Sequence, residues 1–315
     1  MTKQTLRVTR IRPLTGRISE FTLTAPQGAA LPAWAAGAHI RVDVDGGDRA
    51  YSLIAWDDAC DAPGQYTIAV QREEDGAGGS AFMHALAEGD EVQAAAPKCD
   101  FPVTPDAPAV LLAGGIGITP MISMAAALRA AGTPVALHYA GRCRDAMAYG
   151  EELAGMLGGD LHIHCDDDDS ALDLDTLIGG VGDRHLYICG PKGMIDAARS
   201  KAEAAGIPAD RVHVELFDNG GAGQAGDQPF EVQIASTGQT FTIPPGKSII
   251  EVLEEGGIDL IYDCQRGDCG ICQTEVSEGT PDHRDVVLSD AEKAEGKVMQ
   301  ICVSRAKSAR LVLDL

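Results

Sequence analysis

The first hundred residues alternate apolar and polar positions over short runs, at 6–8, 18–23, 39–44 and 66–70, with glycine and proline between them. A period of two puts every second side chain on one face, so each run reads as a half-buried strand. Short strands with no helical stretch among them predict a small antiparallel barrel. From about Ala109 the rhythm changes. Residues 110–113 form an unbroken apolar strand, 121–131 read as a helix stopped by Gly132, 135–139 as a strand, 149–157 as a helix and 161–164 as a strand. Two more strands, 185–189 and 212–217, follow with a helix between them. Strands alternating with helices predict a parallel, doubly wound sheet. The run 218–227 is nearly all Gly, Ala and polar residues and reads as a linker. Beyond it, strands at 230–236 and 240–243 and a helix at 248–255 open a third module. The predicted fold class is therefore multidomain, all-β plus α/β, with domains at 1–105, 106–218 and 229–315 and a linker at 219–228.

A chain of 315 residues has room for two or three cores. Its composition, 45% hydrophobic and 23% charged, is that of a soluble globular protein. No apolar run approaches the roughly 20 residues of a membrane span, and the first residues lack the basic and apolar segments of a signal peptide, so a cytoplasmic location is expected. The net charge of −22 argues against nucleic acid or an anionic membrane as partner. It leaves solubility, or electrostatic steering of a protein partner, as its meaning. Nine cysteines in such a compartment are not expected to be disulfides. Cys60, Cys99, Cys143, Cys165 and Cys189 are scattered and read as small core or loop residues, whereas Cys264, Cys269 and Cys272 crowd together with Cys302 behind them.

The spacing from Cys264 to Cys269 to Cys272, then Cys302, is Cys-x4-Cys-x2-Cys…Cys, the plant-type [2Fe–2S] pattern. Four thiolates must reach two irons from one tight loop and one distant segment, and Gly267 and Gly270 let that loop turn its N–H groups toward sulfur. A zinc site is the alternative, although zinc motifs more often show two separated cysteine pairs or cysteine with histidine. Residues after Gln228 resemble a plant-type ferredoxin domain, a small β-grasp. A second signal, Ala113-Gly114-Gly115-Ile116-Gly117-Ile118-Thr119-Pro120, lies between a strand and a helix. Pro120 stands where the third glycine of a Rossmann turn would be, yet the context fits a pyrophosphate turn, with Thr119 as N-cap and Pro120 at the first helical position. The alternative is a plain tight turn. Together with Cys189-Gly190-Pro191 it resembles the nicotinamide half of the ferredoxin reductase superfamily.

The third signal, Arg49-Ala50-Tyr51-Ser52-Leu53, resembles the flavin motif of that superfamily. The resemblance implies that Arg49 pairs with the flavin phosphate, that Tyr51 packs along the flavin and that Ser52 bonds near ring atom N5. Gly79 and Ser80, opening a helical stretch, would add a second phosphate clamp. In order, these modules resemble the phthalate dioxygenase reductase family, which includes vanillate O-demethylase reductases, over essentially the whole chain. That resemblance implies FMN, NADH and a Rieske-type terminal oxygenase as acceptor, and it places Phe217 over the flavin ring. A core phenylalanine is the plainer alternative. FMN is expected over FAD because no adenine platform is visible. NADH is expected over NADPH because Asp166, heading four consecutive aspartates, sits where the ribose is reached, although Arg142 and Arg144 pull the other way. The aspartates after His162, His164 and Cys165 read as a solvated loop rather than a metal site, and His283 as a turn or packing residue. Two other readings stay open: a different acceptor, such as a cytochrome P450 or a free ferredoxin, and a redox-sensing protein without turnover.

Overall fold

The computed structural model describes residues 3–45, 47–57, 63–74, 78–217 and 226–315. Cys60 and positions 218–225 of the expected linker lie outside the described residues. The chain divides into two compact units, 1–215 and 216–315. Among the described residues no helix is long and apolar enough to cross a membrane.

The first unit begins with strands β1 (Lys3–Pro13), β2 (Ile18–Thr24), β3 (His39–Val44), β4 (Gly47–Ser52) and β5 (Tyr66–Gln71), helix α1 (Gly79–Ala85) and strand β6 (Glu91–Ala95). They form an antiparallel sheet in the order β4-β3-β6-β1-β2-β5. The sheet curls into a near-closed barrel, and Ile54 N–H donates to Thr67 O at 2.9 Å across the seam beyond β4. Leu6, Val8, Phe21, Leu23, Ile40, Val42, Tyr66 and Ile68 fill the interior, as the alternation requires. The run expected at 6–8 is only the middle of β1, whose polar remainder is held by ladders to β2 and β6. β6 carries too few apolar residues to stand out, and only pairing with β1 makes it a strand.

The nucleotide-type part of the same unit runs β7 (Ala109–Gly114), α2 (Ile118–Ala130), β8 (Val135–Gly141), α3 (Gly150–Leu157), β9 (Leu161–Cys165), α4 (Leu174–Gly179), β10 (His185–Cys189), α5 (Lys192–Ala204) and β11 (Val212–Glu215). Its five strands are parallel in the order β11-β10-β7-β8-β9. β7 is buried throughout because helices or barrel cover both faces, which is why its sequence does not alternate. The strand expected at 212–217 stops at Glu215. The helix expected from Tyr149 starts at Gly150, because Tyr149 takes a left-handed conformation at φ 64°.

The second unit holds β12 (Phe230–Ile234), β13 (Thr240–Ile243), α6 (Ile249–Glu255), β14 (Gln273–Glu278), β15 (Pro281–Asp282), α7 (Asp290–Glu295), β16 (Val298–Gln300), β17 (Arg305–Ala306) and β18 (Arg310–Asp314). The main sheet, β13-β12-β18-β14-β16, has its two terminal strands β12 and β18 parallel at the centre, the arrangement of a β-grasp. Ser248 caps α6 reciprocally with Glu251, and Ser289 caps α7 with Glu292, which ends each loop sharply. Asp227 and Gln228, expected to close the linker, are built into this unit instead. Arg284 donates to both Asp227 carboxylate oxygens at 2.6 and 3.1 Å, and Arg305 donates to Gln228 O at 3.2 Å.

Candidate functional site

β4 pairs with β3 so that Ala50 faces Arg41 and Ser52 faces His39 at the end of the ladder. Ser52 is buried, yet its Oγ has no hydrogen-bond partner among the described residues. Leaving such a group unpaired costs about 1–3 kcal/mol, so the position is set up for a partner that a ligand brings. Tyr51 is half-buried, and burial pushes its phenol up to about 12 against the opposing charge of Arg49. Leu53 is fully buried and its backbone is satisfied: its N–H donates to Ala38 O, and its carbonyl accepts from Ser123 Oγ, each at 2.8 Å. Arg49 donates to the carbonyl of Asp48 at 2.7 Å and pairs with no carboxylate among the described residues. Its side chain crosses Gly79, where a Cβ would sit 2.6 Å from Arg49 Cγ, so only glycine leaves the arginine its path. The Ser80 hydroxyl accepts from Glu73 N–H at 3.0 Å and keeps its own proton to donate. An orphaned buried hydroxyl, a guanidinium without a carboxylate and a glycine beneath it fit a flavin and its phosphate.

β7 and β10 are neighbours, so the turns after them meet. A Cβ at Gly117 would lie 2.3 Å from Cys189 O, and one at Gly190 2.9 Å from Gly114 Cα. Gly114, Gly117 and Gly190 are therefore needed to bring two chain segments together, whereas Gly115, at φ 55°, faces open space. Thr119 is not the N-cap, and Pro120 is not the first helical residue. A 3-10 turn at Gly115–Gly117 runs directly into α2, whose cap is Gly117. Thr119 Oγ1 instead donates to Ile116 O at 3.1 Å, and Pro120 occupies the third helical position, where its missing N–H was unpaired in any case. At the neighbouring strand ends, Asp166 N–H donates to Gly141 O at 3.1 Å and Asp167 N–H to Arg142 O at 3.2 Å, which sets exposed Arg142 beside exposed Asp166. Arg144 pairs with Asp168 at 3.5 Å, and that carboxyl is held below its usual range, first by the Ser170 hydroxyl. Phe217, following β11, is 38% exposed.

In the second unit the four expected cysteines converge. Cys302 lies in side-chain contact with both Cys264 and Cys272, and Cys269 with Cys264. Contact with Cys302, then with Asp268 and the N–H of Arg266, pulls the Cys264 thiol down against burial. Burial pushes Cys269 up. Gly267 and Gly270 have φ of 81° and 79°, and Gln265 also turns left-handed at 53°, so the loop wraps the sulfurs as its spacing implied. Thiols crowded on one another in a buried loop fit a metal cluster that takes them as thiolates. Buried Arg266 and Asp268 pair at 3.2 Å beside them. His283 is buried with its pKa lowered by burial, as a packing residue.

The family model of the 2Fe-2S iron-sulfur cluster binding domain matches residues 232–307, and that of the oxidoreductase NAD-binding domain matches 111–200. The chain is 41% identical to tetrachlorobenzoquinone reductase from Sphingobium chlorophenolicum over 98% of this chain and 97% of that protein. Phthalate dioxygenase reductase, solved as a modular structure for electron transfer from pyridine nucleotides to [2Fe-2S], superposes with a TM-score of 0.72 at 38% identity, over 99% of this chain and 98% of that one. The chain belongs to the phthalate dioxygenase reductase family. A full-length cytochrome P450, CYP116B46 from Tepidiphilus thermophilus, superposes at TM-score 0.76 and 35% identity over 99% of this chain, which spans 42% of that protein.

As a member of this family the chain is a reductase component of oxygenase systems, working with NADH, FMN and a [2Fe–2S] cluster. This reductase also holds functional-unit residues that motif reading missed. Arg12 of β1 donates twice, at 3.0 Å, to the buried carboxylate of Glu20 on β2, and the Tyr149 hydroxyl donates to the same carboxylate at 2.9 Å. Arg12 also reaches Glu152 of α3 at 2.9 Å, and Trp56 meets the Tyr149 ring edge-on at 5.4 Å. Ser123 of α2 accepts from Ala55 N–H at 2.9 Å while donating to Leu53 O, which ties that helix to the flavin strand. No spacing joins residues 12, 20, 123 and 149. The left-handed Tyr149 gives no sequence signal either, because such a conformation is ordinarily left to glycine or asparagine.

Proposed function

We propose that this reductase takes hydride from NADH and delivers single electrons to a Rieske-type terminal oxygenase in the cytoplasm. A bound flavin would supply the exchange between a two-electron donor and a one-electron acceptor, which amino-acid side chains cannot supply. The observation that carries the reading is the unpaired, buried Ser52 hydroxyl on the strand that also presents the guanidinium of Arg49, which pairs with no carboxylate among the described residues. Arg49, with Gly79 and Ser80, holds the flavin phosphate; Ala50, Tyr51 and Leu53 shape the wall along the ring, and Ser52 donates its proton near N5. Phe217 is the residue that would cover the flavin ring. Gly114, Gly115, Gly117, Thr119 and Pro120 form the nucleotide's phosphate turn, with Cys189 and Gly190 beside it, and Cys264, Cys269, Cys272 and Cys302 hold the cluster. The flavin and nicotinamide domains span 1–105 and 106–218, and the ferredoxin domain 229–315.

The choice of NADH rests on the family resemblance, which puts Asp166 beside the ribose, and is supported by Arg144 being engaged by Asp168. A kcat/KM preference for NADH of at least about tenfold, roughly 1.4 kcal/mol, is expected. Asp166→Ala should shrink it, and equal rates with both nucleotides in the unmodified protein would contradict it. A second reading, a P450 as acceptor, is favoured by the match to the reductase-sized part of CYP116B46. Turnover with NADH in the presence of a purified Rieske oxygenase or a P450 decides between them, and faster electron delivery to the P450 would overturn the first reading.

A further inference from the structure

Three large hydrophobic side chains are exposed among the described residues: Phe217 at 38%, Ile261 at 83% and Ile271 at 49%. Two of them flank the cluster cysteines. Ile271 sits between Cys269 and Cys272, and Ile261 stands three residues before Cys264, within about 11 Å of it at full chain extension. The same loop has one thin wall. Cys264, Cys272 and Cys302 are buried, whereas Cys269, beside Ile271, is partly open.

The charge in the segment leading to this wall has one sign, and the two cations that border it, Lys247 and Arg266, are paired with Glu255 and Asp268. From Ser248 to Gln265 there are five carboxylates, Glu251, Glu254, Glu255, Asp259 and Asp263, and no lysine, arginine or histidine. Several are committed locally: Glu251 to the α6 cap, Glu254 to the Tyr262 hydroxyl at 3.0 Å, and Glu255 to Lys247. Asp259 is exposed two residues from Ile261. An apolar point set among carboxylates, next to the least covered ligand of a redox centre, matches a partner whose own face is apolar at the centre and basic at the rim.

We infer that the face formed by Asp259, Ile261 and Ile271 is where an external one-electron acceptor protein docks, through an apolar centre ringed by lysine and arginine. The inference rests on the proposed function and specifies its output side. The electrons balance over one cycle: one NADH gives up two electrons and releases one proton, and two acceptor molecules each gain one electron. Opposite charge steers the encounter and is screened by salt, while the isoleucines lose water only when the acceptor is seated.

The test uses the full-length holoprotein and a basic c-type cytochrome as acceptor probe. Ile261→Ser and Asp259→Lys, made singly and together, should leave cluster reduction by NADH within about twofold of the unmodified protein in stopped flow. Reduction of the cytochrome should fall at least about tenfold in the double variant, and its affinity, measured by titration calorimetry at low salt, should fall in parallel. Added salt should slow the unmodified protein and have little effect on Asp259→Lys. Undiminished cytochrome binding and reduction would overturn the inference. Slowed cluster reduction would also overturn it, by assigning the face to electron entry. If the double variant fails to fold, the single substitutions decide on the same readouts. Failure of the unmodified protein to reduce its cluster with NADH would instead overturn the proposed function itself.

Discussion

The second unit gathers three of the four cysteines proposed to hold the cluster into nine consecutive residues, while the site proposed for the first is spread over β4, α1, the turns after β7 and β10, and the ends of β8 and β9. In the cluster unit, local chain geometry brings the thiols together, and only Cys302 must be delivered by the fold. In the flavin and nucleotide unit the fold must bring several separate local runs together, and the residues that align its two halves lie outside any motif. A metal cluster demands several ligands at bonding distance from a few atoms, so its ligands can be neighbours in sequence. A flavin and a dinucleotide are long, and each end needs its own element.

That contrast makes the two units separable, and the largest test breaks one while sparing the other. Cys269→Ser should lower electron delivery to one-electron acceptors by about a hundredfold or more, since the cluster is the exit, while flavin reduction by NADH proceeds at its normal rate. Loss of the first transfer as well, followed by flavin bleaching, would show that the units do not act independently. Ser52→Ala probes the other side. If the orphaned hydroxyl finds its partner in the bound flavin, removing a bond of about 1.4–3 kcal/mol should slow hydride transfer by roughly ten- to a hundredfold. The flavin-free protein should instead gain stability, by up to about 1–3 kcal/mol, because Ser52 Oγ is buried there without a partner. Unchanged flavin reduction would remove Ser52 from the chemistry.

Tyr149→Phe sharpens the comparison through stability. It deletes the hydroxyl that donates to Glu20, leaving Arg12 as the carboxylate's partner. A hydrogen bond to a charged group contributes about 1.5–3 kcal/mol, so urea should release the flavin at lower concentration with the cluster absorption unmoved. Equal loss in both units would mean the network is not confined to the first. The smallest effect is pH. Burial pulls His138 down to about 4, and lowers His164 and His213 as well. The unfolded chain titrates near 6.5 and so binds more protons than the folded one between those values, which makes the first unit lose stability as pH falls from about 6.5 toward 4. In the second unit burial lowers only His283 among the described histidines. Amide hydrogen exchange at pH 7 and pH 5 should therefore show the greater loss of protection in the first unit, and the opposite order would contradict it.

Periodicity in the chain located the strands of the barrel interior, the helix–strand alternation and the opening of the ferredoxin module, because burial on one face imposes a repeat that survives in a single sequence. Weakly apolar β6 and β14 escaped it, since pairing rather than hydrophobicity defines them. The convergence of the four cysteines was legible for a local reason, since a fixed spacing holds three of them in one loop, and the Arg49–Ser52 run was proposed on the same ground of particular residue types at fixed spacing. Thr119 was misassigned because a 3-10 turn advanced the start of α2, an event set by packing of the turn against Cys189 and Gly190. Only the tertiary structure could show that Gly79 keeps a path for Arg49, that Gly114 and Gly117 make room for a second turn, and that Arg12, Glu20 and Tyr149 join barrel to helix. Each of those depends on side chains far apart in the sequence meeting in space, and a one-dimensional pattern carries no record of which distant residues meet.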